Sequence, residues 1–170
     1  MKVFSVCGIS KSGKTTTIEY IIRELTARGY KVGSVKEIHF EAFAIDPDPM
    51  SNTSRHRRAG SELVTARGLY ETDVMFPRKL EMREILAFYH GFDYVALEGV
   101  SDIPAPTIIT AHGTGDLEQK WSDCVFCVSG VFADKKTEYK GIPMISAVTN
   151  ATALVDLIER KVSDFDGCLG

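Results

Sequence analysis

The sequence predicts an α/β fold, with a mostly parallel β-sheet flanked by helices and an added β-hairpin. Strand-like and helix-like segments alternate along the 170 residues, and several of the strand-like segments are apolar on both faces. The helix-like segments repeat apolar residues every three or four positions. Strands with two apolar faces are typical of parallel sheets, because helices cover both sides of such sheets. This length suits one domain with a sizeable core.

The N-terminal part of the chain begins with a strand and a helix. The run 2–8 is apolar and rich in β-forming residues, and 15–30 has apolar residues at helical spacing with Gly29 as its stop. A second strand is predicted over 31–37. The stretch 39–52 carries acidic residues and prolines, so we expect a loop there.

An arginine-rich helix and a hairpin are predicted next. The segment 53–60 resembles a short helix capped by Thr53 or Ser54. The extended pieces 61–67 and 72–77 flank a turn, so we expect them to form a hairpin added to the sheet. An exposed hairpin edge would suit contact with a second copy of the chain.

The C-terminal part returns to buried strands. A helix over 80–91 ends at Gly91, and the run 92–100 is apolar almost throughout, as in a central strand. We expect further strands over 106–112, 123–130 and 142–148. A final helix over 150–162 begins with Asn150 as its cap. We therefore predict one domain over 1–162, followed by a frayed tail over 163–170.

Composition and charge disfavour some classes of function. The net charge of −3 argues mildly against a general nucleic-acid coat protein. No apolar run reaches about 18 residues, so no transmembrane helix is expected. The segment after Met1 lacks a signal-peptide pattern. We therefore expect a cytoplasmic protein that binds neither membrane nor nucleic acid.

The four cysteines are not expected to form disulfides in a reducing compartment. Cys124 and Cys127 form a C-x-x-C, which can indicate a metal or redox site. Residues three apart on a strand face opposite sides, however, so the two sulfurs would diverge. We interpret both cysteines as small core residues and keep the metal site as the alternative.

The segment between the first strand and the first helix fits the pattern G-x-x-x-x-G-K-[ST] at Gly8, Gly13, Lys14 and Thr15. A phosphate needs several converging backbone N–H donors, and glycines permit the tight curve and the close approach. The helix N-terminus adds unpaired N–H groups. Lys14 would reach the β- and γ-phosphates, and Thr15 would join the shell of a bound Mg²⁺. The predicted phosphate-binding residues are Gly8, Ser10, Lys11, Ser12, Gly13, Lys14, Thr15 and Thr16.

Acidic and basic residues at strand ends extend this predicted site. Glu98 ends the central strand and would hold Mg²⁺ through a water or orient an attacking water. Asp93 is about 17 Å away along the same strand and cannot share that role. Lys36 ends the second strand, and ligands of parallel sheets bind beyond the carboxyl ends of the strands. We therefore expect Lys36 and Glu98 to converge beside the phosphate loop.

The run SRHRR supplies a second basic group. Arg55 and Arg58 would share one face of a helix, and guanidinium groups bind phosphate bidentately. We predict that these arginines contact a γ-phosphate or another anionic ligand, and that Arg55 joins Lys14 and Glu98 in catalysis. A solvated helix face is the alternative.

Several of these pieces in order resemble the MobB family, the P-loop GTP-binding proteins of molybdopterin guanine dinucleotide biosynthesis. The resemblance rests on GISKSGKTTTIEYIIRELTARGYKVGSVK, then His39, Asp46, TSRHRRAG and YVALEG. It implies binding of GTP and Mg²⁺, weak hydrolysis, a homodimer, and partnership with MobA, which joins GMP to molybdopterin. By motif, it adds Asp46 to Thr15 and Glu98 as a metal residue, and it supports Lys36, Arg55 and Arg58 as site residues.

The chain departs from the family pattern at three places. Lys36 is followed by Glu37 where the family has histidine. Residues 50–53 read MSNT where the family has G-K-D-[ST], and EGVSD lacks the lysine that often follows E-G-F. These changes touch the molybdopterin side of the site more than the nucleotide side, so a paralogue with a different partner stays an alternative.

The choice of base and the reaction class stay open at this stage. The chain has no N-K-x-D, the usual guanine-reading motif, although Ser146 and Ala147 lie where many GTPases place a base-contacting loop. GTP therefore rests on the resemblance, with ATP as the alternative. A small-molecule kinase using ATP or GTP is the second functional hypothesis, with the arginine segment as its lid. A nucleotide-gated binding module is the third.

Overall fold

We describe residues 1–40 and 48–165 of a computed structural model. Two compact units are present, the first formed by Met1–Glu37 with the chain from Leu86 onward, and the second by Ile38–Ile85. The strands are β1 Lys2–Gly8, β2 Val32–Lys36, β3 Val64–Arg67, β4 Thr72–Met75, β5 Tyr94–Glu98, β6 Thr107–Thr110, β7 Val125–Ser129, β8 Glu138–Tyr139 and β9 Ile142–Pro143. The α-helices are α1 Lys14–Ala27, α2 Asn52–Arg58, α3 Met82–Ala87, α4 Thr114–Lys120 and α5 Ala147–Lys161. A 3-10 helix spans Gly130–Lys135.

The first unit contains the predicted parallel sheet. Its five strands run in the order β2-β5-β1-β6-β7, and all neighbouring pairs are parallel. The register pairs Glu98 with both Val6 and Lys36, and Gly8 with Thr110. The carboxyl ends of four neighbouring strands therefore meet at one edge, where the loop after β1 begins.

Both faces of this sheet are buried, as the apolar runs predict. Ile108 packs with α1 and α5 residues such as Ile21 and Leu154. Its neighbour Ile109 packs on the other face with Leu117 and Phe132. This alternation follows from the two-residue period of a strand. Helices α1 and α5 thus cover one face, and α4 with the 3-10 helix covers the other.

The structure corrects several predicted bounds in this unit. Helix α4 was not expected, because seven residues that include Gly115 show little apolar periodicity. The strand predicted over 142–148 is only β9, which pairs with β8. Beyond it, Met144 makes one isolated parallel bridge to Val128. Helix α5 begins at Ala147 rather than after Asn150. Asn150 still acts as a cap, because its backbone is not helical and interrupts α5. Its Oδ1 accepts a hydrogen bond from Ala153 N at 3.1 Å.

The second unit holds the arginine-rich helix and the hairpin. Helix α2 is capped by Ser51, whose Oγ accepts from Ser54 N at 3.1 Å, so the caps predicted at Thr53 and Ser54 were wrong. Strands β3 and β4 pair antiparallel, which confirms the hairpin. Within residues 48–85 they form a two-stranded sheet of their own rather than an extension of the parallel sheet. No helix among the described residues is long and apolar enough to cross a membrane.

Candidate nucleotide-binding site

The loop between β1 and α1 depends on two glycines in conformations that side chains rarely adopt. Gly8 has φ +148° and Gly13 has φ +98°. A Cβ atom on Gly8 would lie 2.2 Å from the Thr110 carbonyl oxygen, and one on Gly13 would lie 3.2 Å from Gly130 Cα. The sequence pattern predicts that these glycines permit the close approach of a phosphate. In the structure, the neighbouring β6 and 3-10 helix already require them.

Ser12 fixes the loop from inside. Its side chain is fully buried. Its Oγ lies 2.8 Å from Ile9 O and 2.7 Å from Thr110 Oγ1, and Thr110 Oγ1 lies 3.1 Å from Cys7 O. The Ser12 carbonyl oxygen accepts a hydrogen bond from Val131 N at 3.3 Å. The loop is thus tied to the strand beside it and to the chain that follows β7.

The start of α1 suits an anion. Its N-cap is Gly13, which offers no side-chain acceptor to the first turn, so the free N–H groups and the positive end of the helix dipole face the loop. Lys14 Nζ donates to Gly8 O at 3.1 Å and to Ile9 O at 2.6 Å. The ammonium group therefore lies over the loop, where it adds positive charge to the ring of main-chain amides.

Glu98 joins the loop to β2. Thr15 Oγ1 donates to Glu98 Oε1 at 2.8 Å, and Lys36 Nζ donates to the same oxygen at 2.5 Å. The Glu98 side chain is only 10% exposed while that of Lys36 is 56% exposed. The predicted convergence of Lys36 and Glu98 beside the phosphate loop is confirmed. The oxygens of Glu98 and Thr15 are also the hard donors that Mg²⁺ prefers, so the residues present fit that ion.

The other predicted site residues lie in different surroundings. Ser10, Lys11 and Thr16 are exposed on or beside the loop. In the second unit, Arg55 is exposed and Arg58 donates a short hydrogen bond to Pro49 O. Contact of either arginine with a nucleotide stays a prediction. Asp46 lies outside the described residues.

Sequence reasoning missed two residues that brace the loop, Thr110 and Gly130. A Cβ atom on Gly130 would lie 2.2 Å from Ser12 O, and its φ is +75°. The available signal was a polar residue or a glycine at the end of an apolar strand, and the same signal did identify Glu98. Contact with a loop about a hundred positions away could not be inferred from it.

The C-x-x-C pair is divided between core and surface. Cys127 is buried in β7, and burial raises the pKa of its thiol to about 12. Cys124 is exposed and precedes the strand, so its placement in the core was wrong. No group of three or more His, Cys, Asp or Glu residues suited to a metal occurs in residues 1–40 and 48–165. Partial burial also raises the pKa of the Cys7 thiol beside the loop, so neither Cys7 nor Cys127 is poised as a nucleophile.

Comparison with known proteins decides the family. The model of the family described as Molybdopterin guanine dinucleotide synthesis protein B, MobB, matches residues 3–126. This chain belongs to the MobB family. The matched residues contain the phosphate loop, Lys36, the arginine helix and Glu98, and they end before the 3-10 helix.

Relatives support the MobB fold over most of the chain. A Bacillus subtilis (strain 168) protein named "Probable molybdopterin-guanine dinucleotide biosynthesis adapter protein" is 23% identical over 150 residues, which cover 85% of each chain. A crystal structure of Bacillus subtilis MobB is 21% identical, with a TM-score of 0.74 over 97% of this chain and all of that one. A MobB homolog from Bacillus stearothermophilus is 20% identical, with a TM-score of 0.67 over 93% of this chain and 96% of the other. The structures show the α/β fold.

Proposed function

We propose that this MobB-family chain is a GTP-binding adapter of molybdopterin guanine dinucleotide biosynthesis with weak, Mg²⁺-dependent GTPase activity. Family membership supports the process, and the loop supports the nucleotide. The observation that carries the proposal is the shared Glu98 oxygen, which accepts from Thr15 and Lys36 beside the loop. That arrangement places two groups that can ligate Mg²⁺, the Glu98 carboxylate and the Thr15 hydroxyl, at the edge of the sheet where phosphates would bind. It also places the Lys36 ammonium there.

Each group has a defined part in this proposal. The main-chain N–H groups of the loop and of the first turn of α1 bind the phosphates, and Lys14 adds its charge. Thr15 and Glu98 would hold Mg²⁺, which neutralises charge between the β- and γ-phosphates. Glu98 is held by two donors and is not a free base. Glu98 is therefore poorly suited to activate an attacking water, so we expect slow hydrolysis. A slow rate suits an adapter.

The proposal extends to partners and assembly. We place the chain in the cytoplasm as a homodimer that works with a MobA-type guanylyltransferase and its molybdopterin substrate. The exposed residues Leu69 and Tyr70 at the turn of the hairpin are 94% and 100% exposed, which suits contact with a second copy.

Calorimetry with Lys14→Ala tests nucleotide binding. We expect affinity for Mg²⁺-GTP to fall by at least about 30-fold, because a charge-assisted contact to phosphate is lost. Lys161→Ala, an exposed lysine in the last turn of α5, is the matched control and should bind normally. Equal affinity of Lys14→Ala and wild type would refute the phosphate-loop assignment. A thermal-shift panel of GTP, ATP and both diphosphates then ranks the ligands.

Product analysis separates the adapter from a kinase. We expect inorganic phosphate from GTP, released slowly and without a phosphorylated acceptor. A phosphorylated small molecule formed in proportion to GDP or ADP, at rates near about 1–100 s⁻¹, would overturn the adapter proposal in favour of the kinase.

A further inference from the structure

Lys36 and Glu98 form an ion pair between two neighbouring strands at the edge that carries the phosphate loop. The two residues lie opposite each other in the register of β2 and β5, and Lys36 Nζ donates to Glu98 Oε1 at 2.5 Å. The Glu98 side chain is nearly buried, so solvent screens its charge little. A carboxylate in such surroundings needs a partner of opposite charge, and Lys36 supplies it.

The other donor to Glu98 is compatible with a metal ion. Thr15 Oγ1 donates its proton to the same Oε1 at 2.8 Å. A hydroxyl that donates its proton retains its lone pairs, so Thr15 can ligate Mg²⁺ and keep its bond to Glu98. An ammonium group only donates and has no lone pair to offer. Lys36 therefore cannot help to hold the ion, and it competes with the ion for the carboxylate.

Lys36 is placed so that it can release Glu98. It is the last residue of β2, which lies at the edge of the sheet, and its side chain is more than half exposed. Its flexible four-carbon stem lets the ammonium group move without a change in the backbone. Lys14 differs, because its Nζ donates to two main-chain oxygens of the loop itself, Gly8 O and Ile9 O.

The balance of charge decides when this release is favourable. Mg²⁺ alone would join the ammonium groups of Lys14 and Lys36 beside the carboxylate of Glu98, and these positive charges repel one another. A triphosphate brings enough negative charge to compensate the ion and both ammonium groups. Its oxygens are also the ligands that Mg²⁺ commonly uses together with one or two carboxylates. The ion and the nucleotide should therefore bind together.

We infer that Lys36 is a counter-ion of Glu98 that competes with Mg²⁺, and that this competition couples binding of the ion to binding of the triphosphate. The inference rests on the proposed function and adds to it the residue that prevents Mg²⁺ from binding alone. Once released, the Lys36 ammonium is left at the same edge of the sheet, where phosphate oxygens can accept from it.

Calorimetry with Lys36→Gln tests the inference through a gain of binding. The glutamine amide still donates to Glu98, so the carboxylate keeps a partner, but the amide carries no charge. Without nucleotide, we expect the affinity of this variant for Mg²⁺ to exceed that of wild type by at least about 10-fold. Mg²⁺ alone should then raise the melting temperature of the variant more than that of wild type.

Two matched variants control for charge and position. Lys36→Arg preserves the positive charge beside Glu98 and should exclude Mg²⁺ as wild type does. Lys31→Gln makes the same charge change just before the opposite end of β2 and should also match wild type. Tight binding of Mg²⁺ alone by either variant would contradict a specific role for the Lys36 charge.

The outcomes separate this inference from the proposed function. If wild type binds Mg²⁺-GTP, but Lys36→Gln and wild type bind Mg²⁺ alone with equal affinity, the inference is overturned and the function stands. A gain that persists after Glu98→Gln is added to Lys36→Gln would also overturn it, because the ion would then bind away from Glu98. Wild type that binds no Mg²⁺-GTP would instead refute the proposed function, whereas a gain in Lys36→Gln would still support competition at Glu98.

Discussion

The phosphate loop and the arginine helix α2 are both short polar segments, but different contacts hold them. In the loop, Ser12 is fully buried and bonds Thr110, 98 positions away. In α2, Arg57 donates to Ser54 and Arg58 to Pro49, three and nine positions away. The loop conformation is therefore set by the sheet, whereas these arginine contacts are local. Substitutions that disturb the loop should change both stability and binding, whereas substitution of the exposed α2 residue Arg55 should change binding alone.

Gly8→Ala should have the largest effect. Its Cβ would meet the Thr110 backbone at 2.2 Å in a conformation with φ +148°, so we expect a loss of about 3 kcal/mol or more in the free energy of unfolding. GTP binding should be lost as well. Urea unfolding and calorimetry measure the two effects.

Gly29→Ala is the control for backbone strain alone. Its φ is +87°, but nothing lies within 4 Å of the added Cβ. We expect the free energy of unfolding to fall by about 1–2 kcal/mol and the GTP affinity to stay unchanged. If Gly8→Ala and Gly29→Ala changed GTP affinity equally, contact with β6 would not determine the conformation of the phosphate loop.

Thr110→Val should have an intermediate effect. It preserves the shape of the side chain but removes the oxygen that contacts Ser12 Oγ and Cys7 O. We expect a loss of about 1–2 kcal/mol in stability and a fall of about 10-fold in GTP affinity. Thr107→Val, at the start of the same strand, removes a buried hydrogen bond to Ala105 O. It should cost similar stability and leave binding intact, and weaker binding there would count against a specific role for Thr110.

Arg55→Ala should change binding without changing stability. Arg55 is exposed, so we expect a stability change within about 0.5 kcal/mol. If the guanidinium meets the γ-phosphate, affinity for GTP should fall more than affinity for GDP. Arg67→Ala on the hairpin is the control. An equal loss for both nucleotides would assign Arg55 to a different ligand.

Alkylation of the folded protein should distinguish the buried sheet residue Cys127 from the surface residue Cys124. No substitution is needed, so the stability of the protein is unchanged. Cys124 is exposed, whereas burial in β7 raises the pKa of Cys127 to about 12. Iodoacetamide at pH 8 should therefore modify Cys124 and spare Cys127 until the protein is unfolded. Mass mapping of the labelled peptides checks this, and equal labelling in the native state would contradict the burial of Cys127.

Local sequence predicted the parts of the site that depend on neighbouring residues or on a general rule of parallel sheets. The loop and helix from Gly8 to Thr15 are contiguous, so their spacing was readable directly. Lys36 and Glu98 were expected to meet because parallel strands end at one edge, and they share a hydrogen-bonding oxygen. The strand predicted over 142–148 was too long, because an apolar run does not by itself show where a strand ends. The observed strand is only Ile142–Pro143, and Pro143 has no N–H to donate to a neighbouring strand.

The sequence alone therefore determined the α/β class, the phosphate loop and the convergence of Lys36 with Glu98, because these follow from residue spacing and strand direction. Only the tertiary structure showed that Thr110 and Gly130 brace the phosphate loop. The physical reason is that these contacts join segments far apart in the chain. Their geometry depends on the strand order β1-β6-β7, which no local pattern encodes.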